Sequence, residues 1–98
     1  MPELAALQTR VEAIFADRLN LIVPAADTDL FATGVLDSLS FVELLAELER
    51  QWDIKIGLAN LDLTHFSSVA RIAAYLWLRL TGEDAAAPDE QARRLDYA

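Results

Sequence analysis

Cysteine is absent from this chain, and histidine occurs once, at His65. Without cysteine there is no disulfide framework, no thiolate nucleophile and no sulfur ligand for a metal. One imidazole cannot build a multi-histidine metal site, so His65 reads as a surface or loop residue. Long apolar runs are missing too: none approaches the roughly 20 residues a membrane-spanning helix needs. Met1-Pro2-Glu3-Leu4 lacks a basic segment followed by an apolar one, so no secretory signal is expected and the expected location is the cytoplasm. Basic residues are scarce, with 8 Lys and Arg against 16 Asp and Glu, a net charge of −8. Residues 1–82 carry −5 of it and residues 83–98 carry −3, so the acidity is not confined to one end. Such a surface repels nucleic acid and anionic membranes and favours basic protein partners.

What is present is apolar and helical in period. Hydrophobic residues make up 54% of the 98 positions, enough for one folded core and too few residues for two. Leu4, Leu7, Val11, Ile14, Phe15 and Leu19 recur at steps of three and four, which predicts an amphipathic helix over about 3–19. Residues 20–37 have no helical period and are punctuated by Asn20, Pro24, Asp27, Thr28 and Gly34, which predicts a long connector. A connector this long needs pins, and Leu30-Phe31 and Val35-Leu36 are the apolar pairs that can supply them. Gly34 is expected to take a backbone angle that a side chain would forbid.

A second helix is predicted over about 38–52, with Asp37 and Ser38 both suited to its N-cap. At 100° per residue Phe41, Leu45, Leu48 and Trp52 form its core stripe, with Leu44 at the edge. Leu39, Glu43, Ala46, Glu47 and Arg50 fall on the opposite arc, and Val42 between the two. Gly57 breaks the pattern, and 58–63 reads as a short helix or an irregular turn. Ser67 or Ser68 then caps a last helix over about 68–81. Val69, Ile72, Ala73, Leu76 and Leu80 face inward there, and Gly82 ends it. Residues 83–98 read as a mobile acidic tail with a weak helical tendency over 89–97.

Three chemistries compete for the stretch around Ser38. A hydrolytic nucleophile needs a base and an oxyanion hole in reach, and Leu36-Asp37-Ser38-Leu39-Ser40 is not the Gly-x-Ser-x-Gly elbow. A calcium loop starting at Asp29 puts Gly34 correctly at position six but Phe31 and Ser40 where ligands belong; starting at Asp27 it puts Ala32 at the glycine position. A phosphodiester on Ser38 suits the physics better. The first amides of a helix are unpaired and partly positive, so a phosphate is stabilised there. Asp37 beside it can help hold a magnesium ion while a phosphate-containing donor reacts. A plain N-cap is the competing role for Ser38, and a solvated face the competing role for Glu43, Glu47 and Glu49.

Gly34-Val35-Leu36-Asp37-Ser38-Leu39, followed by Val42-Glu43-Leu44-Leu45, closely resembles the acyl carrier and peptidyl carrier protein family. Asp29-Leu30-Phe31 upstream and Phe66-Ser67-Ser68-Val69-Ala70-Arg71-Ile72-Ala73 downstream extend the resemblance over roughly residues 4–81. The Leu-Phe-x-x-Gly-x-Leu-Asp-Ser pattern also looks like the D-alanyl and other free-standing aminoacyl carriers. The sequence departs from the family at Ser40, where an acidic residue is usual, and at Arg50, which interrupts the acidic face. It also lacks the proline-acid pair frequent before the third helix.

The resemblance implies that Ser38 becomes a 4′-phosphopantetheine ester. A phosphopantetheinyl transferase would take the group from coenzyme A with magnesium, and Asp37 would assist. The arm's thiol would then carry acyl or aminoacyl thioesters between a loading ligase or acyltransferase and downstream biosynthetic enzymes. Leu39, Val42, Glu43, Ala46 and Glu47 would dock those partners, and the chain itself would catalyse nothing. The expected fold is an all-α, antiparallel bundle of three to four helices, with a carrier domain over 1–82, a tail over 83–98 and a monomeric state. The alternative is a cofactor-free helical adaptor or oligomerisation module using Tyr75, Trp77 and Leu78.

Overall fold

The computed structural model describes residues 3–57 and 61–82. Among them there are helices and turns but no strands. Helix α1 spans Leu4–Ala13 and continues into a π-helical turn, Ile14–Arg18. Helix α2 spans Ser38–Trp52, a 3₁₀ turn spans Leu63–Phe66, and helix α3 spans Val69–Thr81. The expected all-α bundle is therefore observed, with the short fourth element at Leu63–Phe66, later than the predicted 58–63. Residues 58–60, the tail 83–98 and the weak helix expected at 89–97 lie outside the described residues.

Side-chain pairs fix the helix directions. Arg10 donates to Gln51 at 3.3 Å and lies 4.3 Å over the Trp52 ring, while Arg18 reaches Glu47 at 3.8 Å. α1 therefore runs antiparallel to α2. Phe66, just ahead of α3, meets Phe41 near the start of α2 with ring centroids 5.6 Å apart. At the far end Arg79 donates to the Lys55 carbonyl at 2.7 Å, so α3 runs in the same direction as α2.

One core joins the elements: Leu7, Val11, Ile14 and Phe15 from the first helical segment, Leu44, Leu45 and Leu48 from α2, and Val69, Ile72, Ala73 and Leu76 from α3. Leu30, Leu36, Ile56 and Phe66 close it from the connectors. Three predicted positions need correction. Leu44 is fully buried, not at the edge, and Phe41 and Trp52 are only half-buried. The stripe of α2 thus centres on Leu44, Leu45 and Leu48. The large rings lie on its flanks, where Trp52 gains the Arg10 guanidinium and Phe41 gains edge-on contacts with Phe31 and Phe66. Leu4, placed by its spacing on the inward face of the first helix, is 47% exposed and lies outside the core cluster.

The long connector is held as expected. Leu30 is wholly buried, Leu36 nearly so, and Phe31 and Val35 are half-buried against the core. Backbone bonds complete the attachment: Leu30 N–H donates to Ser67 at 2.7 Å, Ala70 N–H to Ala26 at 2.9 Å, and Leu36 N–H to Leu30 at 2.9 Å. The first two tie the connector to the head of α3. Asp29 caps the turn that follows, accepting from the Phe31 and Ala32 amides at 3.2 and 3.0 Å. Gly34 closes that turn at φ +80°, the left-handed region predicted for it.

Candidate functional site

The connector delivers the chain to the start of α2, and the geometry there is decided by Asp37. Its backbone is extended and its side chain accepts from Ser40 N–H at 2.9 Å, so Asp37 is the N-cap and Ser38 is the first helical residue. Of the two N-cap candidates the structure selects one, and that choice frees the other. Ser38 is exposed, and its hydroxyl makes no hydrogen bond among the described residues. It stands on the first turn of a 15-residue helix, where the aligned peptide dipoles favour a negative group.

Ser40 completes the cap. Asp37 N–H donates to Ser40 Oγ at 3.0 Å, and Ser40 Oγ donates to Asp37 Oδ1 at 2.8 Å. These reciprocal bonds form a capping box, with Ser40 at the position more often held by Glu or Gln. Bonds from the Ser40 amide first, and then from its hydroxyl, hold the Asp37 carboxyl below its ordinary pKa. Sequence reasoning treated Ser40 only as a missing acid. The available signal was the Asp-x-x-Ser spacing itself.

The outward face of α2 is apolar at its centre. Leu39 is 71% exposed and Val42 is 56% exposed, with Ala46 and Glu43 also open to solvent. Val42 and Ala46, with Leu45, Glu49 and Ile56, line a shallow groove of about 190 Å³ on one side of this face. Glu47, projected outward with them, is instead half-buried. It pairs with Arg50 one turn on, reaches Arg18 across the π turn and accepts from Gln51 at 3.4 Å. Arg50 above all keeps its carboxyl pKa depressed. Glu49 has a structural task that spacing did not reveal: it accepts from Ile56 N–H at 2.8 Å and fastens the chain leaving α2.

His65 lies on the 3₁₀ turn and stacks on Tyr75, ring centroids 5.3 Å apart. It is exposed, and no hydrogen bond joins it to Ser38 among the described residues. Tyr75 also contacts Phe66 and accepts from Arg79 at 2.6 Å, and Trp77 is half-buried against the core. Leu78 is 37% exposed.

At the head of α2 the structure thus leaves one exposed hydroxyl, that of Ser38, without a hydrogen bond among the described residues. A family model described as "Phosphopantetheine attachment site" matches residues 9–76, more than half of the chain, and the chain belongs to that family. The family is named for a 4′-phosphopantetheine prosthetic group, and an all-helical fold is in keeping with it. The chain is similar to the D-alanyl carrier protein of Latilactobacillus sakei subsp. sakei (strain 23K), with 42% identity over 48 residues, covering 49% of this chain and 62% of that protein. It is also similar to the D-alanyl carrier proteins of Streptococcus pyogenes serotype M5 (strain Manfredo) and serotype M49 (strain NZ131), with 44% identity over 46 residues, covering 47% of this chain and 58% of each relative. The chain thus spans about three fifths of the length of these curated relatives. No helix among the described residues is long and apolar enough to cross a membrane.

Proposed function

We propose that this chain is a discrete carrier protein and that Ser38 is its attachment residue. The single observation supporting Ser38 is its exposed, unbonded hydroxyl on the first turn of α2, directly after Asp37, the ionised N-cap. In loading, Ser38 Oγ forms an ester bond to the pantetheine phosphorus. The phosphoanhydride of coenzyme A breaks, the hydroxyl proton leaves to a base of the transferase, and the nucleotide half departs. Asp37 assists by helping to hold the magnesium ion against the donor phosphates. The attached 4′-phosphopantetheine supplies the thiol that a cysteine-free chain lacks.

Partners in this reading are a phosphopantetheinyl transferase, a ligase or acyltransferase that loads the cargo, and downstream biosynthetic enzymes. They dock on Leu39, Val42, Glu43 and Ala46, with Glu47 held back by its arginines. The names of the similar proteins favour an aminoacyl cargo over a fatty acyl one. The carrier domain is 1–82, the protein acts in the cytoplasm as a monomer, and the chain performs no catalysis of its own. The effect of the tether is to raise the local concentration of one cargo at several active sites. The adaptor alternative is not favoured: Tyr75 and Trp77 are packed against the core and leave only a small apolar surface around Leu78.

Intact-mass measurement tests the reading. Purified protein incubated with coenzyme A, magnesium and a broad-specificity transferase gains one phosphopantetheine, and Ser38→Ala gains none. Folded wild-type protein that gains nothing would refute it.

A further inference from the structure

Asp37 is solvent-exposed, yet its carboxylate is held at two points. Oδ1 accepts from Ser40 N–H at 2.9 Å and from Ser40 Oγ at 2.8 Å. The same Oγ accepts from Asp37 N–H at 3.0 Å. Both of the strong bonds fall on Oδ1, and the Asp37 and Leu39 amides add only weaker contacts at the carboxyl. Capping the helix requires only the bond to the Ser40 amide. The hydroxyl bond to the same oxygen satisfies no further helix amide; what it does is fix the orientation of the carboxylate. With the amide bond alone the exposed side chain is held at one point and can still leave its capping well for the other staggered χ1 wells.

We propose that Ser40 is a positioning residue for the loading of Ser38: its hydroxyl locks the Asp37 side chain in one rotamer, so that Oδ2 stands open at the helix start for the magnesium ion carried by the phosphate donor. This rests on the reading of Ser38 as the attachment residue. The clasp also distinguishes the two hydroxyls of the first turn. The Ser40 hydroxyl is spent on Asp37, and that of Ser38 remains available.

The test compares wild type, Ser40→Ala, Ser40→Thr and Ser38→Ala, all at a temperature well below the melting point of each. The first readout needs no loading: three-bond couplings that report Asp37 χ1 in the unmodified protein. Wild type and Ser40→Thr show one rotamer, and Ser40→Ala shows averaging. The second readout is the loading rate against magnesium concentration with one transferase. In Ser40→Ala, which keeps the residue-40 amide bond, the half-saturating magnesium rises by about twofold to threefold, threefold being the limit of spreading one χ1 well over three. The rate at saturating magnesium stays within about twofold, and Ser40→Thr restores the wild-type half-saturation. A Ser40→Ala protein with a lower melting point but unchanged couplings and unchanged magnesium dependence would make Ser40 a cap and nothing more. Wild-type protein that is not loaded at Ser38 overturns the attachment reading itself, and the positioning role with it.

Discussion

Leu30 is the residue on which the site's approach depends most. It sits in the long connector eight positions before Ser38, is 0% exposed, and its amide is bonded to the head of α3 at 2.7 Å. Leu30→Ala keeps that amide and deletes only the buried side chain, so the loss isolates packing. Removing a fully buried leucine costs about 3 kcal/mol, within a range of roughly 2–5, as lost transfer energy plus the residual cavity. For a domain of this size that lowers the melting temperature by roughly 12–24 °C. Set against a total stability of about 5–15 kcal/mol, the variant still folds but with little margin. Urea unfolding followed by circular dichroism measures the loss, and hydrogen exchange locates it. The Leu30 and Ala70 amides, which tie the connector to α3, should lose protection by about a hundredfold, the factor equivalent to 3 kcal/mol. Ile22→Ala is the control, because Ile22 is 87% exposed in the same connector and its removal should stay within about 0.5 kcal/mol. A loss below about 1 kcal/mol for Leu30→Ala would show that the buried leucine does not hold the connector.

Ser68, itself buried, caps α3 through a 3.1 Å bond from the Arg71 amide, so Ser68→Ala should lower stability by about 1–2 kcal/mol in a denaturant titration. Asp37, Glu47 and Asp62 all have depressed carboxyl pKa values, caused chiefly by Ser40, Arg50 and the Thr64 hydroxyl respectively. A group with a lower pKa folded than unfolded contributes stability above the unfolded value and loses it as pH falls through the folded one. The urea midpoint should therefore drop below about pH 4, and Glu47→Gln should flatten that drop. Glu43 is exposed, whereas Glu47 is engaged with Arg18 and Arg50. Glu43→Gln should therefore raise the KM of a loading enzyme severalfold and Glu47→Gln should change it less, with steady-state kinetics as the measurement.

The helices were legible because their apolar spacing is regular and their ends are marked. Asp37, Ser68 and Gly82 stand where caps were expected, and the start and end of α2 agree with the sequence reading. The ring positions were not legible. A wheel projection weighs Phe41 and Trp52 as strongly as leucine, but it cannot see that an arginine 42 positions earlier offers Trp52 a partner at the surface. The same blindness applies to Glu47 and Glu49. Both carry the spacing of a solvated face; Arg50, three residues after Glu47, was in view, but Arg18 and the Ile56 amide come from other segments. At the site Ser38 was legible by position, but the clasp was not. The Asp-x-x-Ser spacing hinted at it, but serine at the third helical position is a weak helix former in isolation, and the reciprocal geometry is what shows it closing on Asp37.

The π-helical turn bears on how this chain tolerates changes in length. Leu19 N–H bonds back to Ile14 at 3.1 Å, five residues away, so the turn from Ile14 to Arg18 holds one residue more than a regular α-turn would. Regular spacing from Val11 already buries Ile14 and Phe15; the surplus falls after them, with Ala16 and Asp17 outside and Leu19 packed against the core. A natural deletion at Ala16 would let the turn tighten to four-residue spacing, with Leu7 and Val11 undisturbed ahead of it. An insertion anywhere in Leu4–Ala13 has no such outlet and would rotate the buried stripe away from α3. Kin that differ by a single residue near this point should therefore keep the same bundle.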